Sequence, residues 1–193
     1  MKAFKEIEEK LKISLDELRY EHTIGVMYTA GCMAMAHNYD IKKAMLAGLL
    51  HDCAKCMSHE ERLSLCNEYK ITVTESELKN KALLHAKAGA ILAKIEYDIT
   101  DEEILHAICV HTTGEPNMNM LDKIIYIADY IEPRRDKAPN LEYVRNLAYT
   151  DLNACMAQIL SDTLCYLETC GGEIDPTTEL TYHFYEKYLK ERD

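Results

Sequence analysis

The sequence predicts an all-α fold, and three observations carry that prediction. Apolar residues recur at helical spacing along most of the chain, and no stretch sustains the period-two alternation of a half-buried strand. Residues that start and stop helices punctuate those stretches. Gly and Pro are scarce, 7 and 4 of 193 residues, while apolar residues make up 48%, which excludes collagen-like, low-complexity and disordered chains. No linker or internal repeat interrupts the pattern, so residues 1–193 read as a single domain large enough to close its own core.

The elements follow in order. Residues 1–12 alternate charge and hydrophobe, lack the apolar core of a signal peptide and are assigned no element. Ser14 with Glu17 three residues on reads as a capping box. It opens a long helix striped by Leu15, Leu18, His22, Val26, Thr29 and Met33 toward Asn38. The stretch from Asp40 to His51 is apolar almost all round (Ala44, Met45, Leu46, Ala47, Leu49, Leu50), the mark of a buried central helix. Further helices are expected near 58–69, 82–96, 101–111, 120–131, 140–149, 151–170 and 177–190. Thr113 to Pro116 and Pro133 to Pro139 read as loops. Gly171-Gly172 followed by Asp175-Pro176 reads as a helix C-cap, a turn, and a new N-cap with Pro at the first helical position.

Charge narrows the partners. With 33 acidic and 22 basic side chains the formal charge is −11, which disfavours nucleic acid and anionic membranes as partners of the surface as a whole. An anionic substrate must therefore meet a local positive site or a metal. The longest weakly polar stretch, Gly25 to Ala36, falls short of the roughly 20 residues a membrane-spanning helix needs, and a cytoplasmic protein is expected. Eight cysteines in such a chain are read as reduced thiols. Cys53 and Cys56 form a C-x-x-C, whereas Cys32, Cys66, Cys109, Cys155, Cys165 and Cys170 are read as small hydrophobes. Tyr143, Tyr149, Tyr166, Tyr182, Tyr185 and Tyr188 are assigned to packing, and His37, His59, His106 and His183 to surface or satisfied positions without ligand-like neighbours.

Other polar residues fall where polar residues are not expected. His22 lies four residues after Leu18 and four before Val26, inside an apolar stripe. Asp52 follows the buried helix, Asp129 sits four residues after Ile125 in a helix striped by Leu121, Ile124, Ile125 and Ala128, and His111 comes three after Ile108. Each alone reads as a hydrogen-bonded core residue. Two inward carboxylates beside several inward histidines are most readily satisfied by a shared cation. His51 and Asp52 are adjacent, about 100° apart on a helix, so both reach one ion only at the end of that helix. Imidazole and carboxylate ligands without thiolate suit Fe, Mn, Ni, Co or Zn rather than Mg or Ca, and leave positions open for water and substrate.

This H…HD…D order resembles that of the HD-domain metal-dependent phosphohydrolases. The likeness extends to Arg19 to Thr23, Ala47 to Lys55, Leu84 to Ala90, His111 to Gly114, Lys123 to Pro133 with Arg135, and Gly171 to Thr177. Together these segments, from about residue 18 to 185, resemble the bacterial YqeK family of symmetrical diadenosine tetraphosphate hydrolases. Members of that family often carry Asn where this chain has Arg134. The resemblance implies an HD-domain helical bundle with additional C-terminal helices and iron held by His22, His51, Asp52 and Asp129, with Mn, Co, Ni and Zn as alternatives. It further implies that a dinucleoside polyphosphate or nucleoside diphosphate is contacted by Arg19, Lys55, His85, His111, Thr112, Arg135 and the segment Gly171, Gly172, Glu173, Ile174, Asp175, Pro176, beside His51, Asp52 and Asp129 of the metal site. Asp52, Lys55 and His111 are the expected catalytic residues.

The residues themselves leave alternatives open. Arg19, three residues before His22, reaches a metal-bound phosphate or pairs with Asp16. His85 and His111 donate to a phosphoryl or leaving oxygen or hold a second metal, the resemblance favouring phosphate. Rival readings are an HD phosphohydrolase for another nucleotide and a nonenzymatic nucleotide-binding module; a homodimer is left open.

Overall fold

The computed structural model describes residues 2–190, and within them the chain is helical with no strand. Twelve helices run α1 (Lys2–Ser14), α2 (Glu17–Ala36), α3 (Ile41–Leu50), α4 (His59–Glu68), α5 (Glu75–Lys79), α6 (His85–Glu96), α7 (Glu102–Val110), α8 (Met120–Ile131), α9 (Leu141–Leu147), α10 (Leu152–Cys170), α11 (Pro176–Tyr185) and α12 (Lys187–Lys190). The predicted all-α class and the helices from α2 onward hold, with two additions and several corrections.

The first addition is α1, which the alternation of charge and hydrophobe over residues 1–12 had masked. Ile7, Leu11 and Leu15 repeat every four residues and are buried, a one-faced stripe that a window this short and charged conceals. Ser14 consequently ends α1 rather than capping α2. Asp16 takes the N-cap, its carboxylate accepting the Arg19 N–H at 2.9 Å, since the two-residue break after Ser14 puts Asp16 in the extended conformation a cap requires. Leu18 then faces outward, 73% exposed, and leaves the expected stripe. The second addition, α5, is a five-residue helix opened by a capping box of Thr74 and Glu77, the same sequence signature that opens α4 at Ser58 and Glu61. At the far end, the expected helix 177–190 is broken between α11 and α12 at Glu186.

The core lies where α2, α3, α7, α8 and α10 meet. Val26, Ala30 and Met33 of α2, Ala44 and Leu50 of α3, Ala107 and Ile108 of α7, Ile125 and Ala128 of α8, and Met156 and Leu160 of α10 are wholly buried together. α3 is the central helix its composition predicts. Its approach to α2 is close because Gly48 has no side chain: a Cβ there would lie 3.1 Å from Met27 Cα and 3.2 Å from the Val26 carbonyl. Gly114 closes the turn after α7 at φ +65°, with Thr181 of α11 packed over it. Gly171 ends α10 in the left-handed region and Asp175 caps α11 ahead of Pro176, as the sequence indicates.

Helical spacing does not say which face is inward. Tyr182, Tyr185 and Tyr188 pack, but Tyr143, Tyr149 and Tyr166 are exposed, because α9 is short and the end of α10 projects beyond the core. Cys32, Cys165 and Cys170 likewise face solvent, whereas Cys53, Cys66 and Cys155 are buried. All eight cysteines are free thiols. No helix of the described residues is long and apolar enough to cross a membrane.

Candidate metal centre

Five helix ends and turns converge on one point. His22 comes from the second turn of α2, His51 is the C-cap of α3, Asp52 opens the turn after it, His85 begins α6, His111 caps the end of α7 and Asp129 lies in the last turn of α8. The placement of His51 and Asp52 at the end of their helix is what a shared ion requires of two adjacent residues. His22, His51, Asp52, His85 and His111 are all more than nine-tenths buried.

Each histidine is pinned in one sense. The Nδ1–H of His22 donates to Glu132 Oε1 at 3.1 Å, that of His51 to the Gly48 carbonyl at 2.7 Å, and that of His111 to the Ile108 carbonyl at 2.7 Å. His85 donates in the same way to the Ala82 carbonyl. A carbonyl or carboxylate only accepts, so each Nδ1 carries a proton, and in the neutral ring Nε2 presents a lone pair to the centre, where the Nε2 atoms of His85 and His111 lie 3.0 Å apart. There it meets more acceptors: His22 Nε2 lies 3.0 Å from Asp129 Oδ1, and His51 Nε2 lies 3.5 Å from Asp52 Oδ2. His22 Nε2, His51 Nε2 and Asp52 Oδ1 have no hydrogen-bond partner. Lone pairs facing carboxylate oxygens in a buried space repel unless positive charge lies between them. The residues therefore fit a cation. Two ligand groups share His51, one of His22, His51 and Asp129 and the other of His51, Asp52 and His111, the ligand atoms of each within 4.8 Å of one another.

The carboxylates are poised as ligands. Burial opposes charge on Asp129, but Arg135 beside it favours the carboxylate form. Asp52 has the Arg19 guanidinium on its Oδ2. Burial brings the pKa of His85 down to about 4, and its Nε2 lies 3.1 Å from Lys55 Nζ, 3.0 Å from His111 Nε2 and 2.9 Å from Asp52 Oδ1.

Three cations stand close to the carboxylates, of which Arg19 and Arg135 line the cavity and Lys55 does not. Arg19 donates to Asp52 Oδ2 at 2.7 Å and Arg135 to Asp129 Oδ1 at 2.7 Å, while Lys55 lies 3.7 Å from Asp52 Oδ1. Arg19 thus pairs with Asp52, and only its backbone N–H goes to Asp16. The cavity outside them holds about 750 Å³ and is lined by Arg19, His22, His111, Thr112, Asp129 and Arg135 among others, a volume in the range of small-molecule sites. Arg134 and Lys137 also line it, with Tyr130, Ile159 and Thr163 forming a less polar wall. None of these is singled out as a site residue by the sequence: the loop after α8 brings Arg134 and Lys137 to the cavity, and the approach of α10 brings Ile159 and Thr163. The Gly171 to Pro176 segment does not line it. Glu173 to Pro176 border a separate cleft against α5, where Lys79 pairs with Glu173 and Ser76 donates to Asp175. His106 also differs from expectation, standing between Asp122 at 3.0 Å and Glu115 at 3.2 Å.

An α-helical bundle whose helix ends deliver imidazoles and carboxylates to one buried point, beneath a cavity rimmed by Arg and Lys, is the architecture of a metal-dependent phosphohydrolase. Comparison with known proteins agrees. The model of the HD domain matches residues 19–134. The symmetrical bis(5'-nucleosyl)-tetraphosphatase of Halalkalibacterium halodurans is 43% identical over 90% of this chain and 91% of its own, and that of Bacillus subtilis 41% identical over 90% and 92%. A Clostridium acetobutylicum crystal structure, described as a predicted HD superfamily hydrolase involved in NAD metabolism, superposes with a TM-score of 0.92 at 39% identity, covering 96% of this chain and 97% of that one. The chain belongs to the HD-domain family and, within it, to the group that includes the symmetrical bis(5'-nucleosyl)-tetraphosphatases.

Proposed function

We propose that this chain hydrolyses dinucleoside tetraphosphates symmetrically, releasing two nucleoside diphosphates. The observation that carries the reading is the inward set of bare Nε2 and carboxylate atoms beneath a cationic rim, on a chain with relatives of that activity over nine-tenths of its length. In this reading His22, His51, Asp52 and Asp129 hold the metal, iron first, with Mn, Co, Ni and Zn as alternatives. When bound, that metal supplies a Lewis acid for a phosphoryl oxygen and lowers the pKa of a coordinated water.

The chain's own groups do the rest. Arg19 gives one N–H to the buried carboxylate of Asp52 and Arg135 one to the half-buried carboxylate of Asp129, and both have others left for phosphate oxygens, since a guanidinium carries five donors in a fixed fork. Lys55, steadied by His85, adds charge on the opposite side of Asp52. Burial lowers the pKa of Lys55 while Asp52 opposes the change, so the ammonium is poorly solvated and gains when a phosphate arrives. His111 and Thr112 complete the floor of the cavity. A diphosphate is a good leaving group, so stabilising its charge suffices and no strong general acid is required. The resemblance adds Gly171 to Pro176 as a nucleoside contact. A cytoplasmic location belongs to the same reading.

Hydrolysis of diadenosine tetraphosphate in oxygen-18 water tests it. ADP as the only nucleotide product, with label in its terminal phosphate, is expected. ATP and AMP in equal amounts would refute the symmetrical assignment and leave the phosphohydrolase standing.

A further inference from the structure

We infer that Glu132 is a positioning residue for the metal centre, fixing the ring of His22, and that Gly25 makes room for it. The inference rests on the reading of His22 as a metal ligand.

Glu132 is out of place by every local criterion. It closes α8 at the C-cap, where the helix dipole disfavours an anion. It is 2% exposed, yet the partners of its carboxylate are the Nδ1–H of His22 at 3.1 Å on Oε1 and the Arg134 N–H at 2.9 Å on Oε2. A carboxylate buried at the wrong end of a helix without a guanidinium or ammonium on its oxygens costs stability. Capping α8 does not account for it, because the cap uses only the Glu132 backbone N–H, donated to Ala128.

The second observation lies across the helix interface. Gly25 of α2 stands opposite, and a Cβ on it would come within 2.6 Å of Glu132 Oε2. A glycine inside a helix is unfavourable, and here it is the space that lets the carboxylate reach His22, three residues earlier in the same helix. Two locally unfavourable choices, one on α2 and one at the end of α8, therefore serve one contact. That contact sets the tautomer: with its Nδ1–H donated to Glu132, His22 presents only the Nε2 lone pair to Asp129 and the centre. Carboxylate partners of this kind orient ligating imidazoles and raise their basicity, and losing one typically lowers metal affinity about 10–100-fold.

The test uses the full-length protein, with Mn²⁺ alone as the probe. Calorimetric titration gives the affinity, and long-range ¹⁵N–¹H correlation of the histidine rings in metal-free protein gives the tautomer of His22. Glu132→Leu is expected to mix the His22 tautomers and weaken Mn²⁺ binding about 10–100-fold. Glu132→Gln, with one acceptor for two donors, should fall between it and the native protein. Gly25→Ala should act like Glu132→Leu although alanine is the better helix former, which provides a second route if Glu132→Leu does not fold. Unchanged Mn²⁺ affinity with His22 still in the Nδ1–H form in both Glu132→Leu and Gly25→Ala would overturn the inference. His22→Ala serves as the control: if it alone abolishes high-affinity binding, His22 is a ligand that Glu132 does not position, whereas if it too binds Mn²⁺ normally, the ligand reading falls and the inference with it.

Discussion

The guanidinium of Arg19 lies 2.7 Å from Asp52 Oδ2, tying the first turn of α2 to the turn after α3 across 33 residues of sequence. Asp52 meets His85 through its other oxygen, at 2.9 Å, so one buried carboxylate joins the cationic rim to the imidazole floor. Arg19 also lines the cavity over the centre.

Removing Arg19 takes away a charged donor already in position. Arg19→Ala is expected to lower kcat/KM for diadenosine tetraphosphate about a hundredfold, within the range for loss of one transition-state donor. Arg19→Lys should recover only part of it, because a lysine cannot hold Asp52 and a phosphate in one planar fork. Steady-state kinetics decide this, and native kcat/KM in Arg19→Ala removes the arginine from the mechanism.

Asp52→Ala should lose bound metal and turnover together, since it deletes one ligand and unpairs Arg19 at once. The double Cys53→Ala, Cys56→Ala protein should keep both. Cys53 Sγ donates to the Gly89 carbonyl at 3.4 Å and burial pushes its thiol pKa far up, while Cys56 is exposed beside Asp16; neither enters the ligand groups. Elemental analysis alongside activity separates the two cases, and metal loss from the cysteine variant would move the site to thiolate chemistry.

Gly48→Ala should destabilise the fold by roughly 1–3 kcal/mol, the usual cost of overpacking. The added methyl would press on backbone atoms of Met27 and Val26, which cannot swing aside. His51, three residues on, also donates to the Gly48 carbonyl, so Mn²⁺ affinity should fall with the melting temperature. A stable variant with native affinity would show that the α2–α3 contact yields at no cost to the centre.

His106 supplies a pH signature away from the site. Burial opposes its charge, but the hydrogen bond to Asp122 and the nearby Glu115 raise its pKa above 6.5. A raised folded-state pKa adds stability that is complete below the unfolded value and lost as pH rises through the folded one. Urea unfolding of the native protein should therefore show stability declining above about pH 6.5, and His106→Gln should flatten that decline. Identical slopes in the two proteins would mean that His106 gains nothing from its carboxylates on folding.

Sequence by itself determined the helical class, nearly every helix from α2 on, and the identity of the residues at the centre. Helix periodicity is local chemistry: Met120–Ile131 is striped along its twelve residues and capped by Asn119 immediately before them, and the structure places α8 there. Out-of-pattern polar residues such as His22, Asp52 and Asp129 were legible because burying them is costly unless something joins them. Tertiary structure alone decided which atoms face which. His51, His85 and His111 each give Nδ1–H to a carbonyl three residues back, but Glu132 comes to His22 from 110 residues away, and Arg19 chooses Asp52 over the nearer Asp16. It also turned Leu18 outward and brought Arg134 and Lys137 to the cavity. Spacing along a chain fixes the angle of a side chain on its own helix, whereas the partner it meets depends on how helices distant in sequence cross, and that is settled by packing of the whole core.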